Sequence, residues 1–257
     1  SSPEAIIELI AAADKSSLLS LDLTGSRALV SLEVISEFSR LTRLDLAHCV
    51  QLSEASSLAN LPNITSLNIS GCLQLRDLPP LGSLSQLSQL GLSQFRRLAD
   101  LSPLMELPLL TRLDLSDCLR LINLSPLAHL THLRHLDLSH CKALSDIEPL
   151  AALSRLVELN LAGCERLAVV APLARLPQLT ALNLSRCSNL RDTEALADCA
   201  NLGSLEYDEL ATRDSVLLAG ATRRQDSGLT ERIVATAANF ELTKRPDLHA
   251  KALVEAL

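Results

Sequence analysis

Aromatic residues are scarce in this chain: they make up 2% of it, with no tryptophan, one tyrosine and three phenylalanines. A core of large rings is therefore excluded, and whatever is buried must be aliphatic. Glycine occurs only eight times and never as GxxxxGK or GxGxxG, so neither glycine-rich phosphate cradle is present. No run approaches the roughly 18 apolar residues that a membrane-spanning helix needs. No basic-then-apolar leader opens the sequence. Cations are outnumbered too: 23 Lys and Arg stand against 30 Asp and Glu, a formal net charge of −7. General attraction to nucleic acid or to anionic membrane is not expected of such a surface. The chain opens on Ser1 and ends on the apolar stretch 252–257, and it reads as a piece of something longer.

What the chain does have is a period. Cys49, Cys72, Cys118, Cys141, Cys164 and Cys187 fall on a 23-residue grid whose one vacant node is filled by Phe95. The same grid puts Leu21, Leu44, Leu67, Leu90, Leu113, Leu136, Leu159, Leu182 and Leu205 in one column. A fixed period of this length means stacked copies of a small unit, each hiding its apolar face only against its neighbours. Grid cysteines would stack near the strand spacing of ~4.8 Å, which invites a disulfide reading. An equivalent thiol in successive repeats is instead the mark of a structural ladder, each acting as a small buried group and weak S–H donor. Cys199, off the grid, shares the column of Leu61, Leu84, Leu107, Leu130, Leu153 and Leu176 and is core. Reduced thiols point to a reducing compartment.

Residues 133–155, LRHLDLSHCKALSDIEPLAALSR, illustrate the unit. Leu136 and Leu138 share one face of a short strand, so His135, Asp137 and Ser139 face solvent. Cys141, Leu144 and Ile147 turn the chain inward. Pro149, at a first helical position after a possible cap at Glu148, opens one turn of 3₁₀ type carrying Leu150 and Leu153. Prolines recur on the same grid at 80, 103, 126, 149 and 172.

The pattern LxxLxLxxC, followed by xxL and xxLxPLxxLxx, resembles the leucine-rich repeat family in its cysteine-containing variant. It covers nine repeats, starting at Leu18, Leu41, Ile64, Leu87, Leu110, Leu133, Leu156, Leu179 and Leu202. The resemblance implies an α/β solenoid, a horseshoe with a parallel sheet on the concave face and short helical segments on the convex one. Similar repeats occur in bacterial effectors and in nucleotide-switched immune-type receptors. Domain boundaries follow: a capping helix over 1–17, nine repeats over 18–210, and a helical cap or the start of a further helical domain over 211–257.

Two surfaces are candidates for binding. Counting the solvent-facing strand columns and those beside them gives nine acids against four arginines. Arg43, Asp45, Arg112, Asp114, His135, Asp137, Glu158 and Asn160 are its candidate contacts, over a floor of small residues expected to be smooth. A basic partner segment suits this face, while the bland alternative is that Asp and Asn there only serve the strands. Just past the strands, Arg96, Arg97, Arg120, Lys142 and Arg166 line a basic rim suited to an acidic segment, a phosphorylated partner or another domain. Its bland alternative is solubility alone. Phe95, among Gln94, Arg96 and Arg97, is either accommodated in the core or bulges locally.

His129, His132, His135 and His140 crowd one stretch, but the unit scatters them over different elements, and zinc needs convergent ligands. Carboxylates on an open sheet lack the burial that tunes a catalytic pKa. No catalytic residue, cofactor site or metal site is assigned. The expectation is a non-enzymatic protein-recognition module of a larger bacterial protein, in the cytoplasm or delivered to a host cytosol. Its partner is a protein or another domain of the same chain, with no nucleic acid or membrane. The alternative is the targeting or autoinhibitory part of a ligase-like effector enzyme or of a nucleotide-switched receptor.

Overall fold

The computed structural model describes Lys15 and residues 17–207. The expected capping helix over 1–17, but for Lys15 and Ser17, and the helical stretch over 211–257 lie outside the described residues. Nine strands follow one another: β1 Ser20–Asp22, β2 Arg43–Asp45, β3 Ser66–Asn68, β4 Gln89–Gly91, β5 Arg112–Asp114, β6 His135–Asp137, β7 Glu158–Asn160, β8 Ala181–Asn183 and β9 Ser204–Glu206. They form one parallel sheet in chain order, and each central leucine pairs with the leucine one repeat on, as Leu113 does with Leu136. A three-residue strand has too few ladder bonds to hold alone. The stack holds it, through the leucines that bury their side chains behind the sheet.

Hydroxyls and amides continue the ladder on either side of the strands. The hydroxyl of Thr65 donates to the carbonyl of Thr42 at 3.1 Å, that of Ser88 to Thr65 and that of Thr111 to Ser88, each at 3.0 Å. Past the strands, Gly25, His48, Gly71, Gln94, Asp117, His140, Gly163 and Arg186 occupy one column, all with φ between 57° and 72°. This left-handed region is uncommon for residues with a side chain. It turns each N–H toward the next repeat: that of His48 reaches the carbonyl of Ser70 at 2.7 Å, and that of His140 the carbonyl of Ala162 at 2.6 Å.

The convex segments are 3₁₀ turns, at Glu33–Ile35, Ser56–Asn60, Ser102–Glu106, Ser125–His129, Glu148–Ala152, Ala171–Arg175 and Thr193–Asp198. The proline is the second residue of its segment rather than the first, and the capping group sits two residues before the segment. Asp100, Asn123 and Asp146 accept the N–H of Ser102, Ser125 and Glu148 respectively, each at 2.9 Å. Where Val169 stands in that column, Asp192 of the next repeat accepts the N–H groups of Val170 and Ala171 instead, at 2.7 and 2.9 Å. No such segment forms between 64 and 86. Pro79 and Pro80 hold the residues before them in extended backbone and remove two donors.

The cysteines are buried, and each grid thiol donates to a carbonyl of the preceding repeat, Cys141 to Leu115 and Cys164 to Leu138 at 3.3 Å each. Burial pushes the Cys72 and Cys141 thiols up to about 12 and raises Cys49, Cys118 and Cys164 as well. They stay protonated at neutral pH, as an S–H donor must. Phe95 takes its node in line, its ring buried with the core. The carbonyl of Ile69, which a thiol there would reach, accepts the N–H of Cys72 at 3.4 Å. Ser26 is the first node, buried, and its hydroxyl has no partner among the described residues.

Candidate partner-binding face

The last strand residues form the middle solvent-facing column: Asp22, Asp45, Asn68, Gly91, Asp114, Asp137, Asn160, Asn183 and Glu206. In seven of these residues a side-chain oxygen accepts the N–H two positions on, at 2.7–3.1 Å. Much of this acid and amide content therefore shapes the strand ends. The second oxygen or the amide nitrogen works sideways: Asn68 donates to Asp45 at 3.2 Å and Asn160 to Asp137 at 2.9 Å. In the column before it, His135 Nδ1 lies 2.7 Å from Glu158 Oε2.

The floor is neither smooth nor wholly solvent-facing. Ala47, Ser70 and Ser139 in the third column are buried, because side chains this short lie below the longer columns on either side. A hollow of about 650 Å³ opens over the sheet. Asp45, Arg112, Asp114, His135, Asp137, Glu158 and Asn160, all expected contacts, line it. Arg43 does not: it is exposed on β2, outside the hollow. The hollow also takes in Ser66, Gln89 and Gly91, which sequence reasoning did not single out as contacts. Gly91 is the one residue without a side chain in its column, a signal that the sequence itself carries. The hollow holds four carboxylates against a single arginine.

On the rim, Arg96, Arg97, Arg120, Lys142 and Arg166 are all exposed. The period puts Arg96 and Lys142 in one column and Arg97, Arg120 and Arg166 in the next. Lys142 is paired with Glu165 at 2.8 Å, which neutralises it. Beside Phe95, a cavity of about 220 Å³ is lined by Cys72, Leu73, Leu75, Gln94, Arg96 and Arg97. No helix among the described residues is long and apolar enough to cross a membrane.

One parallel strand per period, a single open sheet, 3₁₀ turns behind it and a buried ladder inside define a leucine-rich-repeat solenoid of horseshoe type. The likeness to the leucine-rich repeat family extends to sequence over part of the chain. The family model described as leucine rich repeats (2 copies) matches residues 39–83 and 108–152. Among solved structures, internalin C2 of Listeria monocytogenes is 24% identical with a TM-score of 0.64, over 80% of this chain and 92% of that one. The internalin InlF of the same organism is 23% identical with a TM-score of 0.52, over 85% and 78%. The leucine-rich repeat domain of the type III effector XopL is 26% identical with a TM-score of 0.59, over 74% and 68%. No curated protein matches the sequence. Leucine-rich repeat domains serve in general as protein-binding modules.

Proposed function

We propose that this chain is the recognition region of a larger bacterial protein, and that it receives a basic segment of a protein partner on its concave face. The observation that carries the reading is the hollow over the sheet, where four carboxylates face one arginine. Complementary charge of this kind steers encounter and sets which partner fits. Likeness to the repeat domain of a type III effector supports a chain that works in a cytosol, its own or a host's. It also favours a second reading, in which the repeats target or restrain a catalytic domain of the same protein. The rim is the competing surface, since four of its arginines form no ion pair with a carboxylate among the described residues.

Two peptide pools, one arginine-rich and one glutamate-rich, decide between the surfaces. The arginine-rich pool is expected to bind the chain and to lose about tenfold or more in affinity, some 1.4 kcal/mol, with Asp114→Lys and Asp137→Lys together. The triple change Arg96→Glu, Arg97→Glu and Arg120→Glu is expected to leave that binding in place. Binding of the glutamate-rich pool alone, abolished by the triple change, would move the site to the rim.

A further inference from the structure

We infer that the rim beside Phe95 is a second docking site, separate from the concave face, and that it takes an acidic segment carrying one large apolar side chain. The inference does not rest on the concave-face reading, because none of its residues lines the hollow over the sheet.

A thiol and an aromatic ring stand one period apart in the ladder, at Cys72 and Phe95. Side chains of such unequal size do not fill equal layers, whereas interiors otherwise pack with few voids. The cavity of about 220 Å³ lies at this mismatch. Buried Cys72, Leu75 and Phe95 form its inner wall, and exposed Leu73, Arg96 and Arg97 its outer one. It is smaller than the roughly 300–1,000 Å³ of sites for cofactors and drug-sized molecules, so it suits a single side chain. Leu73 is 54% exposed. A lone exposed leucine needs no explanation, but this one borders a cavity whose inner wall is apolar. By the period, Val50 and Leu119 share its column, so apolar contact continues along the rim on both sides of Arg96.

Charge decides which apolar segment fits. Arg96 and Arg97 line the cavity, and Arg120 follows Arg97 one period on. None of the three forms an ion pair with a carboxylate among the described residues, whereas Lys142 on the same rim is paired with Glu165. Asp117, which follows Gln94 by one period, pairs with none of them. Guanidinium groups offer paired N–H donors that match a carboxylate. An apolar side chain seated beside such a pair keeps water from it, as the surroundings of interface anchors do. An uncharged apolar segment would leave those donors to water, and a basic one would be repelled. An acidic segment satisfies both halves of the site.

Fluorescence anisotropy at low ionic strength tests this with two labelled peptides of about nine residues, long enough at ~3.3 Å per residue to span neighbouring repeats. Both alternate serine with glutamate; one has a leucine at its centre and its twin a serine. The leucine peptide is expected to bind the unaltered chain about fivefold or more tighter than its twin. Leu73→Ser, at an exposed position that the core does not need, should bring the two peptides within about twofold of each other. Arg96→Gln with Arg97→Gln should weaken the leucine peptide about tenfold or more, and Arg166→Gln, on the same rim but outside the cavity, less than about twofold. Equal binding of the twins to the unaltered chain, an unchanged preference in Leu73→Ser, or as large a loss with Arg166→Gln as with the pair would overturn the site and leave general attraction between charges. Failure of the leucine peptide to bind the unaltered chain would overturn it as well. None of these results touches the concave-face reading, which the arginine-rich pool tests separately.

Discussion

Replacing Leu115 by alanine is expected to destabilise the chain by about 2–5 kcal/mol. Leu115 is fully buried just after β5. Its N–H donates to the carbonyl of Asp137 at 2.8 Å, and its own carbonyl accepts the N–H of Cys118 at 3.3 Å and the thiol of Cys141 at 3.3 Å. These backbone bonds hold the main chain where it is, so the layer cannot collapse around the lost carbons. The cost then approaches the transfer free energy plus that of an unrelaxed cavity. Because each repeat touches only its neighbours, damage in the middle of the array also weakens both flanking interfaces. Urea unfolding followed by circular dichroism measures it as a lower midpoint. A loss below about 1 kcal/mol would mean that the layer is not close-packed.

Phe95→Ala is expected to cost about 3–5 kcal/mol, toward the lower end of that range. The ring fills a ladder node whose other occupants are small thiols, and it is 3% exposed. The small cavity beside it gives neighbouring side chains room to shift, which reduces the penalty. Phe95→Cys should be milder than Phe95→Ala by roughly 0.5 kcal/mol, since a thiol there can donate to the carbonyl of Ile69 as its counterparts do. The same unfolding assay reads both variants. If Phe95→Ala were neutral, the ring would belong to the rim and not to the core.

How far the fold was legible follows from what sets register. A strand of three residues carries almost no register information of its own, but a leucine recurring at one interval specifies it completely, and Leu21 through Leu205 pair as that column requires. The thiol ladder was legible for the same reason. The left-handed column after the strands was not, because its occupants, among them glycine, histidine, aspartate and arginine, share no side-chain chemistry. Their common conformation serves a backbone bond to the next repeat. The caps were displaced for a similar reason: Glu148 looked like one beside Pro149, yet it is itself the first residue of the segment, and Asp146 accepts its N–H. On the candidate face, Asp114 and Asp137 were visible as neighbours from the period alone. The exclusion of Arg43 and the burial of Ser70 depended on side-chain directions that spacing does not encode.

Excision of whole slices is the most direct measurement. Removing residues 133–155, one full period, joins two equivalent points of the stack and should leave a cooperatively unfolding protein with a modestly lower urea midpoint. Removing 133–152 instead throws every later leucine out of its column and should abolish the cooperative transition. If the two shortened chains unfolded at the same midpoint, the stack of equivalent slices in register would be contradicted.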